Sequence, residues 1–264
     1  MDLGLQGKRA IVTGSTAGIG FATARLLAAE GAEVVVNGRT EVRVEQAAQE
    51  IRKSVPDAHV RGVAADLGSA DGAARLVEAA PEVEILVNNV GIFEPKPFEK
   101  IPDEDWFRFF EVNVLSGVRL ARAYLPGMRA GNWGRIIFVS SESAVQIPAE
   151  MIHYGMTKTA QVAIARGLAE TTVGTGITVN SVLPGPTASE GVSTFVARLA
   201  EQRGVDFPTM EREFFASARP SSLLQRFITP NEVAAMIVYA CGARASATNG
   251  ASLRVDGGVV RAAL

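Results

Sequence analysis

At 264 residues, 47% of them hydrophobic and 20% charged, the chain can bury a large core and is excluded from the disordered class. A net charge of −2 offers no basic face for nucleic acid, and a single cysteine, Cys241, excludes an intrachain disulfide framework and fits a reducing compartment. No run reaches the roughly 18 apolar residues of a membrane span, and residues 1–9 lack a secretory leader pattern, so a cytoplasmic protein is expected.

Along the chain, short β-branched runs alternate with longer amphipathic stretches. Strands are predicted at 10–12, 33–36, 60–64, 85–88, 136–140, 177–183 and 252–255. Helical patterns lie at 19–29, 41–55, 73–80, 107–122 and 159–172. Thr229-Pro230-Asn231-Glu232 is a helix start, with a Thr cap, Pro at the first helical position and Glu three after the cap. This alternation predicts an α/β protein with a doubly wound, parallel, seven-stranded sheet between two helical layers. No repeat or linker divides it, so one domain over residues 1–264 is expected.

The segment 186–226 breaks the alternation and carries Phe195, Phe207, Phe214 and Phe215 among charges. A structureless loop of that length is unusual in a compact domain. Two readings stay open: a surface helical insertion, or an apolar lid over a ligand pocket. The second follows from its departure point, the carboxyl end of the sixth strand, where such sheets bind ligands.

The first chemical motif is Thr13-Gly14-Ser15-Thr16-Ala17-Gly18-Ile19-Gly20, between the first strand and the first helix. Gly14 permits a tight turn, Gly18 lets backbone approach a phosphate, and Gly20 lets the helix pack against the strand. The helix start then offers free N–H groups to a pyrophosphate. The second motif is Tyr154 with Lys158, four residues apart and on one face of any helix that contains both. An ammonium beside a phenol is expected to lower the phenol pKa and make it an acid/base near neutral pH.

These motifs, in this order, resemble the short-chain dehydrogenases/reductases with a Tyr-x-x-x-Lys site. The likeness runs from Gly7 to Gly258. It includes Asn88-Asn89-Val90-Gly91 after the fourth strand, Val112-Asn113-Val114, Ser140-Ser141 after the fifth strand and Pro184-Gly185 after the sixth. Val90 stands where the family usually has Ala, a conservative departure. The resemblance implies a Rossmann-type fold and hydride transfer between a nicotinamide cofactor and a carbonyl or secondary alcohol. It makes Tyr154 the acid/base and Ser141, 13 residues earlier, the donor to the substrate oxygen, with Ser140 its structural neighbour. Lys158 would hold the nicotinamide ribose, and Asn113 would anchor a water that completes a proton relay.

For the cofactor, the resemblance implies contacts from Gly14, Ser15, Thr16, Gly18, Ile19 and Gly20, from Asp66 to adenine, and from Leu67, Asn89 and Gly91. Pro184 and Gly185 would also touch the cofactor, and Thr187 and Ser189 would hold the nicotinamide carboxamide. Asn88 and Asn89 equally fit a role in tying off the sheet. Gly38 stands where members using NAD usually have Asp, and Arg39 follows; a guanidinium suits a 2′-phosphate. NADP is therefore expected, with NAD as the alternative. Two histidines, His59 and His153, and one cysteine make no zinc set, so no metal is expected.

The expected protein is an NADP-dependent oxidoreductase acting on a small carbonyl or alcohol, without nucleic acid or membrane partners. The alternatives are a 3-oxoacyl thioester reductase and a non-catalytic nucleotide sensor on the same fold. Relatives commonly form tetramers, so a homotetramer is expected, with a dimer second. Val259, Val260, Ala262, Ala263 and Leu264 suggest a buried tail.

Overall fold

The computed structural model describes residues 1–263, apart from the side chains at 191, 193–195, 198, 199 and 202; Phe195 and Leu264 thus lie outside the described residues. Seven strands form one parallel sheet in the order β3-β2-β1-β4-β5-β6-β7. They are β1 (Arg9–Val12), β2 (Glu33–Gly38), β3 (Val60–Ala64), β4 (Ile85–Asn88), β5 (Gly134–Val139), β6 (Ile177–Pro184) and β7 (Ser252–Val255). The inner strands are buried on both faces, which is why they read as continuous apolar runs.

Alternate residues feed two cores. Val12, Val36, Ile137 and Val182 pack against α1 (Gly18–Ala29), α2 (Glu41–Ser54) and, further along the chain, the helix Pro230–Cys241. Ile11, Val35, Leu86 and Phe138 pack on the other side against α3 (Ala70–Ala79) and the helices Ser116–Ala130 and Ile152–Glu170. The strand order reverses between β1 and β4, so a crevice opens beyond their carboxyl ends.

Three boundaries differ from the sequence reading. The helix expected at 107–122 is α4 (Asp103–Phe110), a π turn at Glu111–Leu115, then α5 (Ser116–Ala130). Helix α6 (Ile152–Glu170) starts well before residue 159 and carries both Tyr154 and Lys158. The tail is buried only at Val259 and Val260, while residues 261–263 are exposed.

The segment 186–226 folds as α7 (Glu190–Arg203) and α8 (Phe207–Ser217). It has its own small core of Val196, Ala200, Met210, Phe215 and Phe227. A bridge between Thr187 and Ile228 brings its two ends together. Phe215 is turned into that core, whereas Phe214 faces the crevice. The last helix, α9 (Pro230–Cys241), opens with the expected capping box between Thr229 and Glu232.

Candidate active site

The crevice begins at the glycine turn. Gly14 and Gly18 have φ of 59° and 57°, a left-handed backbone that other residues adopt at a cost. A Cβ on Gly20 would lie 2.5 Å from the Gly14 carbonyl, so only Gly lets the helix seat there. Ala17 gives α1 no side-chain cap and the first turn carries no acid, leaving that end suited to an anion. Ser15 is buried and braces the turn: its hydroxyl donates to the Val12 carbonyl at 2.6 Å and accepts from the Asn37 amide at 3.0 Å. Thr16 packs on Gly38, where a Cβ would meet its methyl at 2.5 Å.

From this turn a cavity of about 610 Å³ runs beneath α7 and α8. Gly18, Ile19, Asn89, Gly91, Pro184, Gly185, Thr187 and Ser189 line it together with Ser141, Tyr154 and Lys158. Arg39, Asp66 and Leu67 lie outside it. Arg39 is exposed, Asp66 accepts from the Gly68 amide at 3.0 Å, and Leu67 is buried. Asn89 both lines the cavity and ties the sheet, donating to the Thr13 and Gly14 carbonyls at 2.9 and 3.1 Å. Asn88 is buried against Gly117 of α5.

On α6, the Lys158 ammonium sits 5.5 Å from the centre of the Tyr154 ring and donates to the Val139 carbonyl (3.0 Å) and Gln161 Oε1 (3.1 Å). Gln161 in turn donates to the Asn113 carbonyl at 2.6 Å. Asn113 sits in the π turn, where its side chain holds both the amide and the carbonyl of Ile92, at 2.8 and 3.0 Å, and donates to Thr157 Oγ1 at 3.0 Å. It thus reaches Lys158 through Gln161, a residue the sequence reading missed; its i+3 spacing from Lys158 was the available signal. The Ser140 hydroxyl donates to the Lys158 carbonyl at 2.8 Å, bracing the helix.

Ser141, two residues beyond β5, caps the short turn Glu142–Ala144, its hydroxyl donating to Glu142 Oε2 at 2.5 Å and accepting from the Ser143 amide at 3.1 Å. Glu142 is itself buried, and its other oxygen accepts from Arg219 Nε at 3.1 Å. Arg219 also reaches Glu150 at 3.4 Å. None of Glu142, Glu150 and Arg219 was anticipated. Arg43, in the first turn of α2, pairs with Glu190, in the first turn of α7 and on the cavity lining, at 2.9 Å.

This environment corrects the expected proton chemistry. Burial pushes the Tyr154 phenol above its ordinary value and Glu142 pushes it further, with smaller opposing effects from Ser141 and Arg219. Burial also lowers the Lys158 ammonium to about 8, against the pull of Glu142. Lys158 lies over the Tyr154 ring, donates to Val139 and Gln161, and is not among the groups that shift the phenol. His153 is buried between Phe109 and Trp106, off the cavity, with ring centres 4.1 and 6.0 Å away. Among the described residues there is no group of three potential metal ligands, and no helix is long and apolar enough to cross a membrane.

Comparison with known proteins matches this arrangement. Residues 8–199 fit the family model described as short chain dehydrogenase. The chain is 49% identical over 261 residues to an uncharacterized oxidoreductase of Bacillus subtilis (strain 168), YvaG, covering 99% of each. It is 34% identical over 271 residues to D-beta-hydroxybutyrate dehydrogenase of Cupriavidus necator, covering 97% of this chain and 99% of that one. Among solved structures it resembles L-sorbose reductase from Gluconobacter frateurii complexed with NADPH and L-sorbose. That likeness has a TM-score of 0.94 at 32% identity, over 99% of this chain and 100% of the other. By glycine turn, sheet and kinship alike, the chain belongs to the short-chain dehydrogenase/reductase family of oxidoreductases.

Proposed function

We propose that the protein interconverts a small carbonyl compound and its secondary alcohol with NADP(H), Tyr154 serving as the acid/base. The observation that carries this reading is the convergence of Ser141, Tyr154 and Lys158 on the cavity that starts at the glycine turn. When bound, the nicotinamide supplies the hydride for reduction. A phenol held above its ordinary pKa keeps its proton through neutral pH and can hand it to the oxygen as negative charge develops there. Ser141 is placed as a second donor to that oxygen. Lys158, buttressed by Gln161 and Asn113, would bind the ribose. The uncapped start of α1 would take the pyrophosphate, Asp66 the adenine, and Thr187 and Ser189 the carboxamide.

The NADPH complex of the Gluconobacter frateurii relative supports the cofactor choice. The intact Ser141, Tyr154 and Lys158 weigh against a non-catalytic sensor, which would be free to lose them. Oxidation of NADPH in the presence of a carbonyl panel tests the reading, and a panel without any turnover would reject it. The same panel separates a 3-oxoacyl thioester reductase from enzymes for smaller ketones.

Arg39 is the residue proposed to read the 2′-phosphate. Arg39→Ala should weaken NADPH relative to NADH by roughly 1.5–3 kcal/mol, one charged hydrogen bond. Fluorescence titration measures this, and equal affinity of the unaltered protein for both cofactors would remove Arg39 from that role.

We also propose that α7 and α8 act as a lid. Their separate core gives them a local stability of their own. Hydrogen exchange across residues 187–215 should slow on adding NADPH and a competitive inhibitor; equal protection with and without them would make the segment a rigid insertion. A homotetramer is proposed on the exposure of Phe107 (75%) and Phe110 (38%) on α4. A monomer mass by light scattering at all concentrations would reject it.

A further inference from the structure

The buried carboxylate beside Ser141 has no part in proton or hydride transfer as just described. It nevertheless lines the cavity and holds the hydroxyl proposed to greet the substrate. Ser141 has one proton to donate, and it is donated to Glu142 Oε2 at 2.5 Å. A simple ketone can draw Ser141 away only by leaving that carboxylate oxygen without its donor, and a buried charged group left so is costly. A ketone with a hydroxyl on the adjoining carbon resolves the conflict. The hydroxyl replaces Ser141 as donor to Glu142, and the Ser141 proton turns to the carbonyl oxygen.

Charge narrows the substrate further. The described cations lining the cavity are Lys158, Arg203 and Arg219. Arg219 meets Glu142 and Glu150, Arg203 meets Glu213 at 3.0 Å, and Lys158 is held by the Val139 carbonyl and Gln161. With Lys158 reserved for the nicotinamide ribose as proposed above, a keto acid would find no cation left over for its carboxylate, while Glu142 and Glu150 already stand at the Ser141 end. A neutral polyhydroxylated molecule meets neither obstacle.

From this arrangement we infer that the substrate is an uncharged hydroxyketone, or the matching vicinal diol, whose hydroxyl beside the reacting carbon donates to Glu142 while Arg219 fixes that carboxylate in place. The inference rests on the carbonyl-reduction reading and deepens it. In the reductive direction the carbonyl carbon gains the hydride with its electron pair, the oxygen gains the Tyr154 proton, and the cofactor leaves oxidised. The neighbouring hydroxyl is unchanged. Glu142 is a specificity residue, and Arg219 positions it.

Acetone, hydroxyacetone and pyruvate share one carbon skeleton and separate the possibilities. With NADPH, hydroxyacetone should exceed acetone in kcat/KM by at least about tenfold, as a site built for a substrate hydroxyl discriminates against its absence, and pyruvate should be poorest. Intrinsic carbonyl reactivity also favours hydroxyacetone, so Glu142→Gln supplies the control. The hydroxyacetone-to-acetone ratio should collapse by about tenfold in the variant, with the change concentrated in the hydroxyketone. A general loss of fold or turnover would lower both ketones together and leave the ratio intact. Equal kcat/KM for the two ketones in the unaltered protein, pyruvate as the best substrate, or a ratio that Glu142→Gln leaves unchanged would each overturn the inference while sparing Tyr154 chemistry. Failure to reduce any of the three, or L-sorbose, would overturn both this inference and the reaction on which it rests.

Discussion

Replacing Tyr154 with Phe should lower turnover by about 10²-fold or more while fold and cofactor affinity persist, the usual scale for losing a general acid. The substitution deletes one oxygen and its proton and keeps the ring over which the Lys158 ammonium sits. Lys158 keeps its bonds to Val139 and Gln161, neither of which involves the phenol. Stability should hold, because the ring and its neighbour Lys158 stay in place. Turnover with NADPH, measured beside the dissociation constant for NADPH, separates chemistry from binding. Near-full turnover would take Tyr154 out of the mechanism. A parallel loss of cofactor affinity would mean that the hydroxyl serves cofactor binding as well as chemistry.

The second large effect should come from one methyl group. A Cβ at position 20 would lie 2.5 Å from the Gly14 carbonyl, 2.6 Å from Asn89 Nδ2 and 2.9 Å from Ser15 Cα. Two of these are backbone atoms of the turn itself, and neither can step aside alone. Gly20→Ala is therefore expected to destabilise the fold by about 1–3 kcal/mol, the range for overpacking a filled interior. It should also weaken NADPH, since the displaced turn is where the pyrophosphate would sit. Gly127→Ala is the control: that glycine lies in the helix α5 with nothing within 4 Å of its Cβ. There the change should stabilise by about 0.5–1 kcal/mol through helix propensity alone. Thermal melts of the two variants should move in opposite directions, and similar melts would show that the crowding at Gly20 relaxes freely.

What could be read from the sequence follows the range of the forces involved. The inner parallel strands are buried on both faces and read as short apolar runs, and the edge strands β3 and β7 keep enough apolar residues that all seven were found to within a few residues. The glycine turn was legible because backbone geometry there demands particular residues in particular order. The start of α6 was less visible, since Tyr154, Gly155 and Thr157 are indifferent helix formers and packing holds that end in place. Glu142 and Arg219 are 77 positions apart and only folding brings them together. The direction of the Tyr154 shift was misjudged for the same reason. A spacing of four reveals a neighbour on the helix, but not that burial and an unforeseen carboxylate outweigh it.

The chain leaves its sheet after Thr187 and returns at Ile228 through a single narrow neck, and what lies between has an apolar interior of its own. The wall that would face a substrate and the wall that would face a dinucleotide thus answer to different packing constraints. Changes made in one should add to changes in the other rather than compound, except at the ion pairs that stitch them together, two of which differ in exposure. One of these, Arg43 with Glu190, is exposed to salt; the other, Glu142 with Arg219, is shielded from it. Such a division lets a lineage alter what it accepts while its way of gripping a nucleotide stays untouched, with Arg219 the seam where the two histories must agree.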